Sequence, residues 1–231
     1  MKPITLYKPK PMVEVLGKPL IEHIVSRLPQ EVTELIIVVG YKGEQIVNFC
    51  GKEFYDRPVR YIWQKEAQGT ARALELVRPY LKGRFMVLYA DDIHGAEDLQ
   101  ELVKHDLSLL VYRHEHPERF GVVTVNNEGI VTELVEKPEI PKSNLVSTGP
   151  VVLDERIFNF RPVLQKGEYF LASQIGKRVQ VHAMHAVPQK LWLPIGYPED
   201  IVAAETVLAS EYRVAEFEKA SFFKRLFFGN A

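Results

Sequence analysis

Residues 85–92 read Phe85-Met86-Val87-Leu88-Tyr89-Ala90-Asp91-Asp92: five apolar or aromatic side chains in a row, one small residue, then two carboxylates. A run this short has strand length. Without polar alternation it fits a strand buried on both faces, as parallel sheets flanked by helices produce. The carboxylates then fall at the strand's carboxyl end, the edge at which open α/β sheets collect ligands.

The same rhythm extends on both sides. Upstream, Leu35-Ile36-Ile37-Val38-Val39 closed by Gly40, and residues 59–63, read as two further strands. Helical spacing precedes them at Leu20, Ile21, Ile24, Val25 and Leu28, recurs over residues 43–49, and returns over 70–81 with Ala71, Leu74, Leu76, Val77 and Leu81. Downstream, a helix is expected at 96–104 and a strand at 107–112. Two β-runs around Asn126-Asn127-Glu128-Gly129 make a hairpin. A strand at 146–153, a helix near 155–160, a strand at 178–184 and a helix from Ile201 complete the pattern. Alternation of this kind predicts an α/β fold with a mixed, mainly parallel sheet. No repeat or low-complexity linker interrupts it, so residues 1–209 are expected to form one domain and 210–231 a helical tail.

Composition narrows the function. In 231 residues, 29 Lys+Arg against 30 Asp+Glu leave a net charge of -1, with no positive surplus for tracking a phosphate backbone, so nucleic acid is not expected as a partner. No apolar run approaches a bilayer span. Residues 1–5 lack a secretory h-region, and the single cysteine, Cys50, rules out a disulfide framework. A reducing, cytoplasmic location is the expectation.

Five segments are candidates to carry chemistry. Asp91 and Asp92 offer hard oxygens suited to Mg²⁺ bridging to phosphates, or else cap the turn that follows. Gln64 to Ala71 runs from a strand end through Gly69-Thr70 into a helix, exposing backbone N–H groups to an anion or a base edge, or else is a plain connection with a glycine turn. Lys8-Pro9-Lys10-Pro11-Met12 holds a lysine between prolines, a candidate phosphate ligand or else a solvated surface charge. Glu136-Lys137-Pro138 repeats that theme after the hairpin, and Thr148-Gly149 permits close backbone approach. The seven histidines lack metal spacing, and no G-x-S-x-G elbow or activated cysteine supports covalent catalysis.

Taken in order, Lys8 to Ile21, Gln64 to Leu74, Val87 to Asp91, Pro117 to Val123, Leu134 to Pro138 and Thr148-Gly149 resemble the sugar-1-phosphate nucleotidyltransferases, with the glucose-1-phosphate thymidylyltransferases as the nearest subgroup. The resemblance implies a Rossmann-like, three-layer α/β/α fold of the GT-A type. It implies joining of a nucleoside triphosphate to a sugar 1-phosphate with release of pyrophosphate, and Mg²⁺ as cofactor. It assigns Lys10 to phosphate charge, Gln64, Gly69 and Thr70 to the base, and Asp91 to the metal. Gly121, Glu136, Thr148 and Gly149 would line the sugar pocket, and Lys137 would grip the sugar phosphate.

The chain also departs from that family. Residues 1–5 match only the end of the strand and glycine loop G-x-G-T-R-x-x-P-[LI]-T with which members begin. Met1 is therefore expected to be an internal methionine of a longer protein. The Asp that many members carry after Trp-Leu is Pro194, which leaves Asp200 as the nearest carboxylate for a second metal contact. The acidic pair expected after Gly167-Glu168 is Ala172-Ser173. Competing readings are a nucleotide- or sugar-phosphate-binding pseudoenzyme, a phosphocholine cytidylyltransferase and a glycosyltransferase. The aromatic, basic stretch 217–228 is expected to pack on the domain or to form a homo-oligomer contact, ahead of docking on a membrane surface.

Overall fold

The computed structural model describes residues 1, 4–165 and 167–228, with the side chains of the last helix described as far as Arg213. A short hairpin, β1 (Glu14–Val15) and β2 (Lys18–Pro19), leads into α1 (Leu20–Val25), which Pro19 opens and which the residues ahead of Pro29 end. Next come β3 (Leu35–Val39), α2 (Gly43–Cys50), β4 (Val59–Trp63), α3 (Thr70–Val77) and β5 (Arg84–Val87). Pro79 tightens the end of α3 into a 3₁₀ turn, because a proline cannot donate to the helical ladder. Then follow β6 (Asp92–His94), α4 (Ala96–Leu102), β7 (Ser108–Arg113), the hairpin β8 (Gly121–Val125) and β9 (Val131–Glu136), and the long β10 (Leu145–Asp154). The chain closes with β11 (Leu164–Gln165), β12 (Glu168–Tyr169), α5 (Leu171–Arg178), β13 (His185–Pro188), β14 (Trp192–Pro194) and α6 (Pro198–Phe228).

The main sheet has the order β13-β7-β10-β8-β9, with β5 also on β10. Strand β10 spans ten residues and bends at a register shift between Ser147 and Val151, so that β8 and β5 both pair with it at different points. The sheet is mixed as expected, but antiparallel pairing is more frequent than the mainly parallel reading implied. Among the described residues, β3–β4 and β7–β13 are the parallel pairs. The hairpin accounts for the β8–β9 pair, and β10 adds antiparallel pairs with β5, β7 and β8.

Side-chain alternation builds three layers. Leu109 and Val111 of β7, with Val151 and Leu153 of β10, pack on one face against Leu74 and Val77 of α3 and Leu171 and Ile175 of α5. Their neighbours Leu110 and Val152 face the other way, against Leu99 and Leu102 of α4. On that side Leu35 and Val39 of β3 meet α1 and α2 through Ile21, Val25 and Ile46.

Two expectations fail locally. The strand at 178–184 is not formed: α5 ends at Arg178 and the strand begins at His185. The guanidinium of Arg178 is fully buried and its Nη2 lies 2.7 Å from Asp154 Oδ1, a long-range pair that overrides the local alternation Val179-Gln180-Val181. Also, residues 85–88 are half-buried instead of fully buried: among the described residues β5 is paired with β10 along one edge and does not join β3. Helix α6 is continuous across residues 209 and 210. The stretch 217–228 lies beyond the described side chains, so its packing expectation falls outside the described residues. Among the described residues no helix is long and apolar enough to cross a membrane.

Candidate functional site

Lys10 sits on a 3₁₀ turn, Lys10–Met12, fixed by Val13 N–H donating to its carbonyl at 3.0 Å and by the rigid residues Pro9 and Pro11. That turn carries the ammonium to Asp91, with Nζ 3.1 Å from Oδ2 across 81 residues of chain. The side chains are 29% and 43% exposed. An ion pair so open to water adds about 0–1 kcal/mol to folding, so its geometry is better explained by what it presents than by stability. Asp92 is the inner carboxylate. Burial, and then the charge of Asp91, hold it well above the ordinary carboxylate range, while the indole N–H of Trp192 donates to its Oδ2 at 2.9 Å. Behind it, His94 is buried with Nδ1 3.1 Å from Gln189 Oε1, and burial pulls its imidazole down to about 4.

The loop from Gln64 to Thr70 comes to the same place. Gln64, Thr70, Lys10, Tyr89 and Asp91 line one cleft. Gly69 has φ +95°, and a Cβ there would lie 2.5 Å from the carbonyl oxygen of Tyr169, so only glycine fits. Thr70 Oγ1 accepts the N–H of Leu171 at 2.9 Å, tying the start of α3 to α5.

The sugar-side residues are neighbours through sheet register. Glu136 lies opposite Gly121 on β8, and Gly121 lies opposite Ser147 on β10. A Cβ on Gly121 would approach Glu136 Oε2 at 3.3 Å. Lys137 has φ +44°, a left-handed conformation uncommon for a side-chain-bearing residue. In an extended strand, consecutive side chains point apart. This turn brings Lys137 Nζ to 3.7 Å from Glu136 Oε1, and its N–H donates to Phe120 O at 2.9 Å. Burial raises the Glu136 carboxyl, and Lys137 opposes that rise. Thr148 is buried and its hydroxyl donates to Leu110 O at 3.4 Å, so that group is engaged inside the sheet. Gly149, at φ +115°, lets Tyr89 pack against the backbone: a Cβ there would lie 2.8 Å from Tyr89 Cδ2.

Tyr89 links the two groups, a role that sequence reading did not assign. Burial pushes its phenol up to about 12, against a hydrogen bond with Thr70 and aided by the charges of Glu136 and Asp91. A bulky residue with a polar tip at the end of the Phe85 run was the available signal. Asp200 has a different local task. Its Oδ2 accepts the N–H groups of Gly196 and Tyr197 at 2.8 and 2.7 Å and so closes the start of α6. Among the described residues no three His, Cys, Asp or Glu side chains converge on a metal-sized point. Asp91 alone still suits Mg²⁺, which usually takes one or two protein carboxylates and fills its octahedron with phosphate oxygens and water.

A family profile described as nucleotidyl transferase matches residues 1–211. This chain belongs to the nucleotidyl transferase family. The chain is 37% identical over 225 residues to the UTP–glucose-1-phosphate uridylyltransferase AglF of Haloferax volcanii, covering 91% of this chain and 92% of the relative. It is 32% identical over 213 residues to the bifunctional protein GlmU of Methanocaldococcus jannaschii, covering 90% of this chain and 51% of GlmU. The chain thus spans about half the length of the GlmU relatives that it matches. A crystal structure of a glucose-1-phosphate thymidylyltransferase from Bacillus anthracis superposes with a TM-score of 0.79 at 25% identity, covering 90% of this chain and 89% of that one. A UDP-glucose pyrophosphorylase with bound UDP-glucose superposes at 0.77 and 20% identity, which supports the α/β fold of this nucleotidyl transferase.

Proposed function

We propose that this nucleotidyl transferase moves a nucleotidyl group from a nucleoside triphosphate to a sugar 1-phosphate in the cytoplasm, giving a nucleotide sugar and pyrophosphate. The supporting observation is the Lys10–Asp91 pair, Nζ 3.1 Å from Oδ2, in a cleft that Gln64, Thr70 and Tyr89 also line; a second lysine–carboxylate pair, Lys137–Glu136, stands where β9 ends. Two polyanions that repel each other need positive charge at both ends and little else.

In this reading a phosphate oxygen of the sugar 1-phosphate attacks the α-phosphorus in line. The bond from that phosphorus to the bridging β-phosphate oxygen breaks, and pyrophosphate leaves with the electron pair. No side-chain nucleophile is consumed. Lys10 neutralises charge on the triphosphate, and Lys137 holds the phosphate of the sugar. Gln64 and the backbone at Gly69-Thr70 meet the base, while Gly121, Glu136, Thr148 and Gly149 shape the sugar pocket. Asp91 would hold Mg²⁺, with Asp200 proposed as a second metal contact from its place in the sequence after Pro194; the ion would supply charge neutralisation at the phosphates when bound. Residues 1–209 form the catalytic unit in this proposal, and 210–231 its helical tail.

The test is a matrix of five nucleoside triphosphates against several sugar 1-phosphates with Mg²⁺, read as pyrophosphate release. AglF's named substrates, UTP and glucose 1-phosphate, are the first pair to try. Turnover with at least one sugar phosphate is expected. Turnover with phosphocholine and CTP alone, or sugar-phosphate binding without turnover in every combination, would replace this reading with one of its competitors.

A further inference from the structure

Phe170 stands where the chain touches both ends of the candidate site. On one flank Tyr169 N–H donates to Gln68 O at 2.9 Å, and on the other Leu171 N–H donates to Thr70 Oγ1 at 2.9 Å. Its backbone is therefore tied to the Gln64–Thr70 loop before and after it. Its own carbonyl accepts the hydroxyl of Ser173 at 2.7 Å and the N–H of Ser173 at 3.2 Å, which fixes the first turn of α5. The ring reaches the opposite end, where Lys137 Nζ lies 5.5 Å from its centroid. Two neighbouring contacts bind the same segment to both sides. The Arg72 guanidinium of α3 lies 4.4 Å from the ring centroid of Tyr169, and Gln165 of β11 donates from Nε2 to Glu136 O at 3.3 Å.

Lys137 needs such a partner. Its backbone is set by the left-handed φ of +44° and by the bond to Phe120 O, but a flexible four-carbon stem separates that backbone from the charge. Glu136 Oε1, at 3.7 Å from Nζ, is beyond hydrogen-bond length, so it attracts the ammonium without directing it. An aromatic face holds a cation through its quadrupole, over the ring, and leaves the N–H groups that point away from it unused. The ammonium is thus restrained with donors still open to an anion. An aliphatic side chain of similar bulk would pack and restrain nothing.

We propose that Phe170 is a positioning residue: its ring fixes the Lys137 ammonium in register with the Gln64–Thr70 loop, so that sugar phosphate and triphosphate meet at a set separation, a role that rests on the reaction proposed above. Phe170 acts through Lys137 alone.

The test compares Phe170→Tyr, which keeps the ring, with Phe170→Leu, which keeps apolar bulk without it. Both leave the backbone bonds to Gln68 and Thr70 in place, so urea midpoints close to wild type are expected. Binding of glucose 1-phosphate, AglF's named sugar phosphate, is measured by calorimetry. Phe170→Leu is expected to weaken it about two- to fivefold, the range that an exposed cation–π contact supplies, and Phe170→Tyr to restore it. In a Lys137→Ala background Phe170→Leu is expected to add no further loss. Lysine side-chain NMR supplies a second readout that needs no ligand, because protons over a ring face are shielded. The ε-methylene protons of Lys137, assigned by their loss in Lys137→Arg, are expected upfield of the other lysines in wild type and Phe170→Tyr, and at the ordinary position in Phe170→Leu. The proposal is overturned if Phe170→Leu binds as tightly as wild type, if it weakens binding equally without Lys137, or if the Lys137 protons keep their position in Phe170→Leu. Absence of turnover in wild type would count against the reaction and not against Phe170, since neither readout uses turnover.

Discussion

The two ends of the candidate site are built by different means. At the Lys10 end, partners come together from distant parts of the chain: Lys10 meets Asp91 across 81 residues, and Gly69-Thr70 meets Tyr169 and Leu171 from another element. At the Lys137 end, Glu136, Gly121 and Ser147 are successive rungs of one antiparallel ladder, and Lys137 meets its own neighbour through a left-handed turn. One end is assembled by tertiary packing and the other is cut from a single sheet. The difference assigns fragility to the first and pre-set geometry to the second.

Removing charge at the assembled end has the largest expected effect. Lys10→Ala and Asp91→Ala are each expected to lower kcat by about 10²–10³, with unfolding free energy changed by no more than about 1 kcal/mol. Rates near wild type in both would detach this pair from the reaction.

Acid should loosen the same end. The folded imidazole of His94 titrates near 4 against an ordinary 6.5, so its neutral form is the one the fold holds. Its contribution is intact above about pH 6.5 and is lost as pH falls toward 4, on the order of 3 kcal/mol in total. The difference in urea-unfolding free energy between wild type and His94→Gln should slope across that window; a flat difference would contradict the assignment.

Glycine substitutions sharpen the contrast. At Gly69 the obstructing atoms are backbone, and at Gly149 they belong to the ring of Tyr89, which can shift. Gly69→Ala should therefore cost more than Gly149→Ala, both within about 1–3 kcal/mol in chemical denaturation. The reverse order would mean that the Tyr89 packing is the stiffer feature.

Lys137→Ala is the mildest case. About a tenfold loss in kcat/KM for the sugar 1-phosphate is expected, with KM for the triphosphate unmoved. An equal shift in both KM values would merge the two ends into one.

What could be read from the sequence follows the same division. The strands and helices of the first half were legible because period-2 and helical spacing alternate cleanly there, and β4 falls on residues 59–63 as expected. The ladder at Glu136 and Gly121 was partly visible, since an Asn/Gly turn fixes a hairpin. The packing of Tyr89 was not, because it depends on Gly149 and Thr70 arriving from other elements. The strand misplaced at 178–184 failed for a similar reason: its alternation is local, whereas the Arg178–Asp154 pair that ends α5 is not. Asp200 shows the converse, a carboxylate chosen by its neighbourhood in sequence whose Oδ2 is held by the first turn of α6.

The bond from the Trp192 indole to Asp92 has an optical consequence. The chain has two tryptophans, and the other, Trp63, is 48% exposed. A Trp63→Phe protein would keep a single tryptophan whose ring sits one hydrogen bond from the inner carboxylate, so its fluorescence, excited at the red edge where tyrosine does not absorb, would report the charge of the candidate site without a dye.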